Sequence, residues 1–175
     1  RVMQKITSHN VDYADFYFQY SKNEFWSIED GAVKNGSYSI DQGVGIRSVS
    51  GEKSAFTYSD DININALDAA CKIVNSIKNN GQSKSVALNT SKKRKLLYST
   101  INPLDSLDNL SKIKLLEKIE REAKLLDPRI KKVLASLAAQ YEIILIKNFY
   151  GQLIEDVRPL VRLSISVIAE SDGKR

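Results

Sequence analysis

The sequence is short of metal-binding and redox side chains, since it holds one cysteine and one histidine in 175 residues. A single cysteine forbids an internal disulfide and is typical of a reducing compartment. A zinc site needs three or four ligands at a recognisable spacing, and His9 and Cys71 are the only soft ligands available. We therefore expect no metal bound by this chain itself.

Long apolar runs are missing as well. A helix that spans a bilayer needs about 20 predominantly apolar residues, and no run in the sequence approaches that length. The start also lacks the basic and then apolar pattern of a secretory signal. We expect no membrane partner and a cytoplasmic location.

The composition present is that of a globular protein, with 42% hydrophobic and 27% charged residues. The net charge of +5 permits weak attraction to nucleic acid. The basic run Lys92-Lys93-Arg94-Lys95 is the best candidate for phosphate contacts. Neither a stacking motif nor a recognition helix accompanies it, and short charge runs are usually solvated linkers. We expect no nucleic-acid partner.

Apolar residues alternate with polar ones in the first third of the chain, which predicts strands near residues 13–20 and 24–29. Asp30-Gly31 and Asn35-Gly36 predict two tight turns. A helix follows, for which Asp60 or Asp61 is the candidate cap and Gly81 the candidate terminator. Three- and four-residue spacing defines its predicted buried face: Ala66, Leu67, Ala70, Ile73, Val74 and Ile77, with Cys71 on or beside it.

The second half predicts one more helix and then strands. The helix runs from about Asp108 to Leu126, and its predicted buried face is Ile113, Leu116, Ile119, Ala123 and Leu126. Strands are predicted at 132–138, 141–147, 152–157 and 161–169. On the last of these, the residues predicted to face the core are Val161, Leu163, Ile165, Val167 and Ala169.

Segregated strands and helices predict an α+β fold with two layers, in which mainly antiparallel sheets pack against two principal helices. We predict three regions. Residues 1–81 form a β-rich N-terminal subdomain with one helix, and residues 82–102 form a basic linker. Residues 103–175 form a helix followed by antiparallel strands, as the truncated start of a middle domain.

Residues 41–60, DQGVGIRSVSGEKSAFTYSD, place two glycines one residue apart. A dinucleotide-binding loop needs a third glycine at position 48, which is Ser48, and a helix after it. The pattern here is that of a hairpin. Glycine inside a strand often marks a bulge, a sharp coil or close approach by another backbone, and these three readings stay open for Gly43 and Gly45.

No self-contained active site emerges from the remaining residues. The acidic pairs are Glu29/Asp30, Asp60/Asp61 and Glu155/Asp156. Neighbours on a strand point to opposite faces, so the two carboxylates of such a pair do not converge. Asp60 and Asp61 suit a helix cap better than acid–base chemistry.

Four stretches together resemble a known family: DYADFYFQYSKNEFWSIEDG, SYSIDQGVGIRSVSGEKSAFTYSD, PLDSLDNLSKIKLLEKIEREAK and DVRPLVRLSISVIAESDGKR. They are similar to the N-terminal portion of the TldD/PmbA zinc metallopeptidase family, and to its TldD branch more than to its PmbA branch, also called TldE. The resemblance implies a bacterial cytosolic enzyme that degrades or processes unfolded or extended peptides together with a TldE/PmbA-like partner. For such an enzyme we hypothesise that an extended peptide pairs with an exposed strand edge, and that Gly43 and Gly45, lacking side chains, let its backbone approach closely. It also implies zinc in the full-length protein, held by an HExxxH helix and a distant cysteine.

None of these catalytic residues lies in this sequence, because it has one histidine and Cys71 does not match the family's ligand position. The resemblance therefore implies a noncatalytic N-terminal region, with the HExxxH motif further along the full-length protein. Two alternatives from other classes stay open. One is a stand-alone module that binds peptides or proteins through its sheet edge, and the other is a basic nucleic-acid-binding domain.

Overall fold

The computed structural model describes residue 6, residues 11–75 and residues 97–171. The chain divides into two compact units, each built from three separate segments. Unit 1 comprises Arg1–Ser21, Asp41–Leu97 and Glu142–Val157, and unit 2 comprises Lys22–Ile40, Tyr98–Tyr141 and Arg158–Arg175. His9, Ile77, Gly81, the run Lys92–Lys95 and most of the predicted linker lie outside the described residues.

The described residues form five strands in one antiparallel sheet, with the order β3-β2-β1-β4-β5. The elements are β1 (Tyr13–Glu29), β2 (Ala32–Ser50), β3 (Lys53–Ser59), α1 (Ile64–Val74), a short 3₁₀ turn (Pro103–Asp105), α2 (Asn109–Leu126), β4 (Ile130–Asn148) and β5 (Leu153–Ala169). The predicted α+β fold with two principal helices is confirmed. Neither described helix is long and apolar enough to cross a membrane.

The strands are longer than the sequence pattern predicts, because one predicted turn does not form. The chain does turn at Asp30-Gly31, where both residues have positive φ. Asn35 and Gly36 instead lie inside β2. A Cβ atom added to Gly36 would stand 2.7 Å from Cζ3 of Trp26. The glycine is therefore explained by the tryptophan ring that lies against its backbone, and the predicted turn is wrong.

The predicted breaks after residues 138 and 157 are also wrong, since β4 and β5 continue through them. β5 contains Pro159 in its interior. Proline has no N–H to donate to a neighbouring strand, so strands accept it mainly at sheet edges. β5 is such an edge strand.

Helix α1 begins three residues later than an Asp60 cap would give. Its N-cap is Asn63, whose side-chain oxygen accepts a 2.9 Å hydrogen bond from the backbone N–H of Ala66. The predicted caps Asp60 and Asp61 are therefore wrong. The helix buries Ala70, Cys71 and Val74.

Ile73 was predicted to be buried on α1 and is 56% exposed. Each helical residue turns by about 100°, so Ile73 stands about 200° from the buried Cys71. The cysteine, a small apolar side chain, takes the core position instead. The core of unit 1 contains Ile6, Val11, Ala14, Phe16, Val44, Ile46, Ala70, Cys71 and Val74.

Helix α2 begins and ends where the sequence predicts. Asp108 is its N-cap and accepts a 2.7 Å hydrogen bond from the backbone N–H of Ser111. This bond is the main cause that lowers the pKa of the Asp108 carboxyl. Leu116 and Ala123 are buried as predicted, whereas Leu126, in the final turn, is 84% exposed.

The buried stripe of α2 also contains two charged residues that the sequence pattern missed, Lys112 and Glu120. The Nζ atom of Lys112 lies 2.7 Å and 2.9 Å from the two carboxylate oxygens of Glu24. It also donates a 2.7 Å hydrogen bond to the backbone oxygen of Leu104. Trp26 donates its indole N–H to the same carboxylate. The charges of Lys112 and Glu24 are thus paired and hydrogen-bonded, as buried charges need to be.

The other buried acid of α2, Glu120, is tied to the turn between β1 and β2. Its carboxylate accepts the backbone N–H of Gly31 at 2.9 Å and 3.1 Å. Lys124 lies 2.8 Å from Glu120 and 3.0 Å from Asp30. Glu120 and Lys124 thus form an i,i+4 ion pair on α2 in which the acid is buried.

The apolar face predicted to be buried on β5 is exposed. The exposed fractions are 54% for Val161, 47% for Leu163, 48% for Ile165 and 49% for Val167. In unit 2 the small core forms where Leu116 of α2 meets Ile28 and Ala135. β5 is an edge strand with a neighbouring strand on one side only. Its apolar side chains are therefore only partly covered by the described residues.

The Lys112–Glu24 ion pair predicts a large effect of a single substitution. Lys112→Met leaves a buried carboxylate without its cation, which should lower the free energy of unfolding by about 3–5 kcal/mol. Replacing both partners, Glu24→Gln with Lys112→Met, should be less damaging than the single change because no buried charge remains. Urea unfolding measures both. Lys114→Met, at an exposed position on the same helix, is the control, and an equal effect there would contradict the prediction.

A second prediction concerns the end of α2, where Arg129 holds Asp127 by a 2.7 Å ion pair. Hydrogen bonds from the side chain and then the backbone of Arg129 lower the pKa of Asp127 from 3.8 to about 2. A depressed folded-state pKa stabilises the fold above the unfolded value, and this contribution disappears as pH falls towards 2. In an NMR titration, the signal of the Asp127 carboxyl should have its midpoint at a pH of about 2. Arg129→Gln should raise this midpoint, whereas Lys131→Gln should leave it unchanged.

Candidate functional site

Unit 1 carries a groove of about 370 Å³ whose lining includes both predicted peptide-contact residues, Gly43 and Gly45. The groove lies over β2, with Tyr17 of β1 on one side and Phe56 and Tyr58 of β3 on the other. A cavity of this volume is within the range that accommodates a small ligand or a few peptide side chains.

The strand period explains how the groove forms. Val44 and Ile46 point into the core of unit 1, where they are 2% and 0% exposed. Gly43 and Gly45 lie between them in the chain and therefore face the other side of the sheet. Because glycine has no side chain, backbone atoms line this part of the groove, with the Phe56 ring against Gly45. This face is opposite the one that α1 covers.

Each glycine has a close neighbour within the chain. A Cβ atom added to Gly45 would stand 3.1 Å from Cε2 of Phe56, and one added to Gly43 would stand 3.1 Å from the backbone oxygen of Ser59. Phe56 is paired with Arg47 in the register of β2 and β3, two pairs along from Gly45 and therefore on the same face of the sheet. An aromatic ring that lies across a neighbouring glycine is a known way to fill the space that glycine leaves.

The position of β2 in the sheet limits how a peptide reaches these glycines. β2 lies between β1 and β3, but β3 pairs only with the part of β2 from Val44 to Ser50. Gly45 therefore has a strand on each side, whereas Gly43 lies just before the first residue of β2 that pairs with β3. Access to Gly45 is across the face of the sheet, through the groove.

The sides of the groove are aromatic and exposed. The exposed fractions are 66% for Phe56, 73% for Tyr58 and 38% for Tyr17. Asp41 and Asp60 also line the groove, and the described residues that line it include no lysine, arginine or histidine. The groove is thus apolar and acidic in a chain whose net charge is +5.

Arg47 lies on the same strand face as the glycines and is held by β1. Its Nε and Nη2 atoms donate to the carboxylate of Asp15 at 2.9 Å and 3.2 Å. Its guanidinium carbon stands 5.4 Å from the ring centre of Tyr13. The hydrogen bond to Asp15 is the main cause that raises the pKa of Arg47. Sequence analysis did not single out this arginine, because its partners come from another strand.

The described residues do not fit a zinc ion. They contain no cluster of three or more histidine, cysteine, aspartate or glutamate side chains that would hold a metal. Cys71 is 1% exposed in the core of unit 1. Glu29 pairs with Lys132, and Asp30 with Lys124, so these two acids serve structural ion pairs.

Unit 2 contains a cavity of similar size, about 360 Å³, lined by Trp26, Gly36, Tyr38 and Lys112 among others. Its buried cation already binds Glu24 and a backbone oxygen. The groove of unit 1 is therefore the better candidate for binding a ligand from solution.

Two family models match the chain. The model described as PmbA/TldA metallopeptidase domain 1 matches residues 14–113, and the PmbA/TldA metallopeptidase central domain matches residues 102–175. The "Metalloprotease TldD homolog" of Haemophilus influenzae is 47% identical over 173 residues, which cover 97% of this chain. The protein of the same name from Buchnera aphidicola of Schizaphis graminum is 39% identical over 99% of the chain. The chain spans 36% of the length of each relative.

Solved structures share the fold at low sequence identity. A candidate modulator of DNA gyrase from Bacteroides thetaiotaomicron has a TM-score of 0.75 at 16% identity, covering 99% of this chain and 41% of that one. TldE from Thermococcus kodakarensis has a TM-score of 0.67 at 12% identity, covering 99% of this chain and 40% of that one. At such identities the likeness shows the fold alone.

The contact between Gly45 and Phe56 predicts the effect of one substitution. Gly45→Ala would place a methyl group against the ring of Phe56. The ring has to shift, and it is free to do so because the side chain is exposed. We expect changed NMR shifts for the Phe56 ring with little change in the free energy of unfolding. Gly43→Ala meets a backbone oxygen, which cannot swing away, so this change should be the more destabilising one. Ser54→Ala, on the exposed face of β3, is the control, and equal effects of all three would contradict the prediction.

Proposed function

The chain belongs to the PmbA/TldA metallopeptidase family, and we propose that it is the peptide-contacting first region of a TldD-like zinc metallopeptidase. Its 47% identity to a metalloprotease TldD homolog carries this proposal. Residues outside this chain would hold the zinc and hydrolyse the peptide, whereas this region would bind extended substrate.

The groove of unit 1 supports the peptide-contacting role. Backbone atoms line it at Gly43 and Gly45, and its sides are the exposed rings of Tyr17, Phe56 and Tyr58. Aromatic rings bind apolar and cationic side chains of many sequences, so a groove of this kind suits an enzyme that accepts many unfolded peptides. An extended peptide lying across the sheet face would place alternate side chains between the rings.

We propose that the metal belongs to another part of the full-length protein. The described residues lack a set of donors that fits zinc, as set out above. The sequence has a single histidine, whereas an HExxxH motif needs two. The division of labour would then follow the family domains, with binding in the matched first and central domains and hydrolysis elsewhere.

We also propose a TldE/PmbA-like partner and a cytoplasmic location. The partner proposal rests on family membership. The apolar side chains of β5, about half exposed, support a further packing contact along that strand. Side chains of this kind seldom stay in water as a continuous row, because burying each would contribute about 1.5–3 kcal/mol.

The proposal predicts that binding and hydrolysis separate between polypeptides. The 175-residue chain should bind an unfolded, fluorescently labelled peptide but should not cleave it. The full-length protein, expressed with its PmbA-like partner, should cleave the peptide, and a zinc chelator should abolish cleavage. Cleavage by the 175-residue chain alone would overturn the assignment. Binding without cleavage by any longer form would favour the stand-alone interaction module.

A further inference from the structure

We propose that the groove of unit 1 recognises a lysine or arginine side chain of the bound peptide. This inference rests on the proposed peptide-binding function and adds a preference for one class of side chain. It follows from the combination of a carboxylate, exposed aromatic rings and glycine backbone within one groove.

Asp60 provides the anionic group. Its carboxylate is close to Gly43, since a Cβ atom added to Gly43 would stand 3.9 Å from its Oδ1 atom. Asp60 is exposed, directly follows β3 and lines the groove. A guanidinium or ammonium group that enters the groove would form a charge-assisted hydrogen bond with this carboxylate.

The aromatic rings provide the second attraction. Phe56 and Tyr58 are 66% and 73% exposed. A cation within about 6 Å of such a ring centre is attracted to its face. The apolar stem of lysine or arginine would pack on the same rings. An uncharged apolar side chain would pack on the rings but would lack the attraction of a cation to the ring face.

Arg47, two residues after Gly45 on β2, does not cancel the attraction between the groove and a cationic side chain. Arg47 donates twice to Asp15 and stacks over Tyr13, so its charge is already matched by a carboxylate of β1. The lining itself adds no cation among the described residues. An acidic side chain on the peptide would therefore meet Asp60 without compensation, and should be disfavoured.

The test uses the 175-residue chain and three labelled peptides that differ at one central position, with lysine, uncharged norleucine or glutamate. Fluorescence anisotropy at low salt should rank their affinities as lysine, then norleucine, then glutamate. Asp60→Asn should weaken binding of the lysine peptide by about three- to fivefold, the size of one exposed charge pair, and should leave the norleucine peptide unchanged. Added salt should reduce the difference between the peptides.

Asp61→Asn is the matched control, because Asp61 is the next residue, is also an exposed aspartate and does not line the groove. It should leave all three affinities unchanged. Equal binding of the lysine and norleucine peptides, or an equal effect of the two variants, would overturn the charge preference while leaving peptide binding in place. Failure to bind any of the three peptides would overturn the proposed function together with the preference.

Discussion

The buried ion pair between Lys112 and Glu24 fixes the arrangement of unit 2. One ammonium group joins three elements, since it contacts a carboxylate on β1, lies on α2 and binds the carbonyl of Leu104 in the short turn before that helix. Two charges in a site where each side chain is 6% exposed tolerate little displacement. The hydrophobic contacts of Leu116 are non-directional, whereas the ion pair adds a directional contact between helix and sheet.

Two glycines of β2 each lie against an aromatic ring of a neighbouring strand. Gly36 lies against the ring of Trp26 in unit 2, and Gly45 against the ring of Phe56 in unit 1. In each case the missing side chain lets an aromatic ring from a neighbouring strand lie down on β2. In unit 1 the outcome is an open groove with exposed rings, because Phe56 comes from the short edge strand β3. Local packing thus produces the surface to which we assign binding.

The sequence predicts what depends on neighbours in the chain and misses what depends on distant ones. The bounds of α2 follow from Asp108 and the helical period, and the α+β class follows from the order of elements. The role of Gly36 depends on a ring ten residues away, and the burial of Lys112 depends on Glu24. Gly43 and Gly45 were identified as candidates by pattern, but the aromatic sides of their groove come from two other strands.

The exposed face of β5 connects the fold to the proposed function. The stretch from Val161 to Val167 alternates apolar and polar residues, as a strand with one buried face does. The described residues cover its apolar side chains only in part. The relatives are longer than this chain, which spans 36% of their length. The alternating pattern and the half-exposed side chains together support the packing contact that we propose for this strand. The groove of unit 1 differs, because its exposed side chains are aromatic and acidic, a combination that suits a transient ligand better than permanent packing.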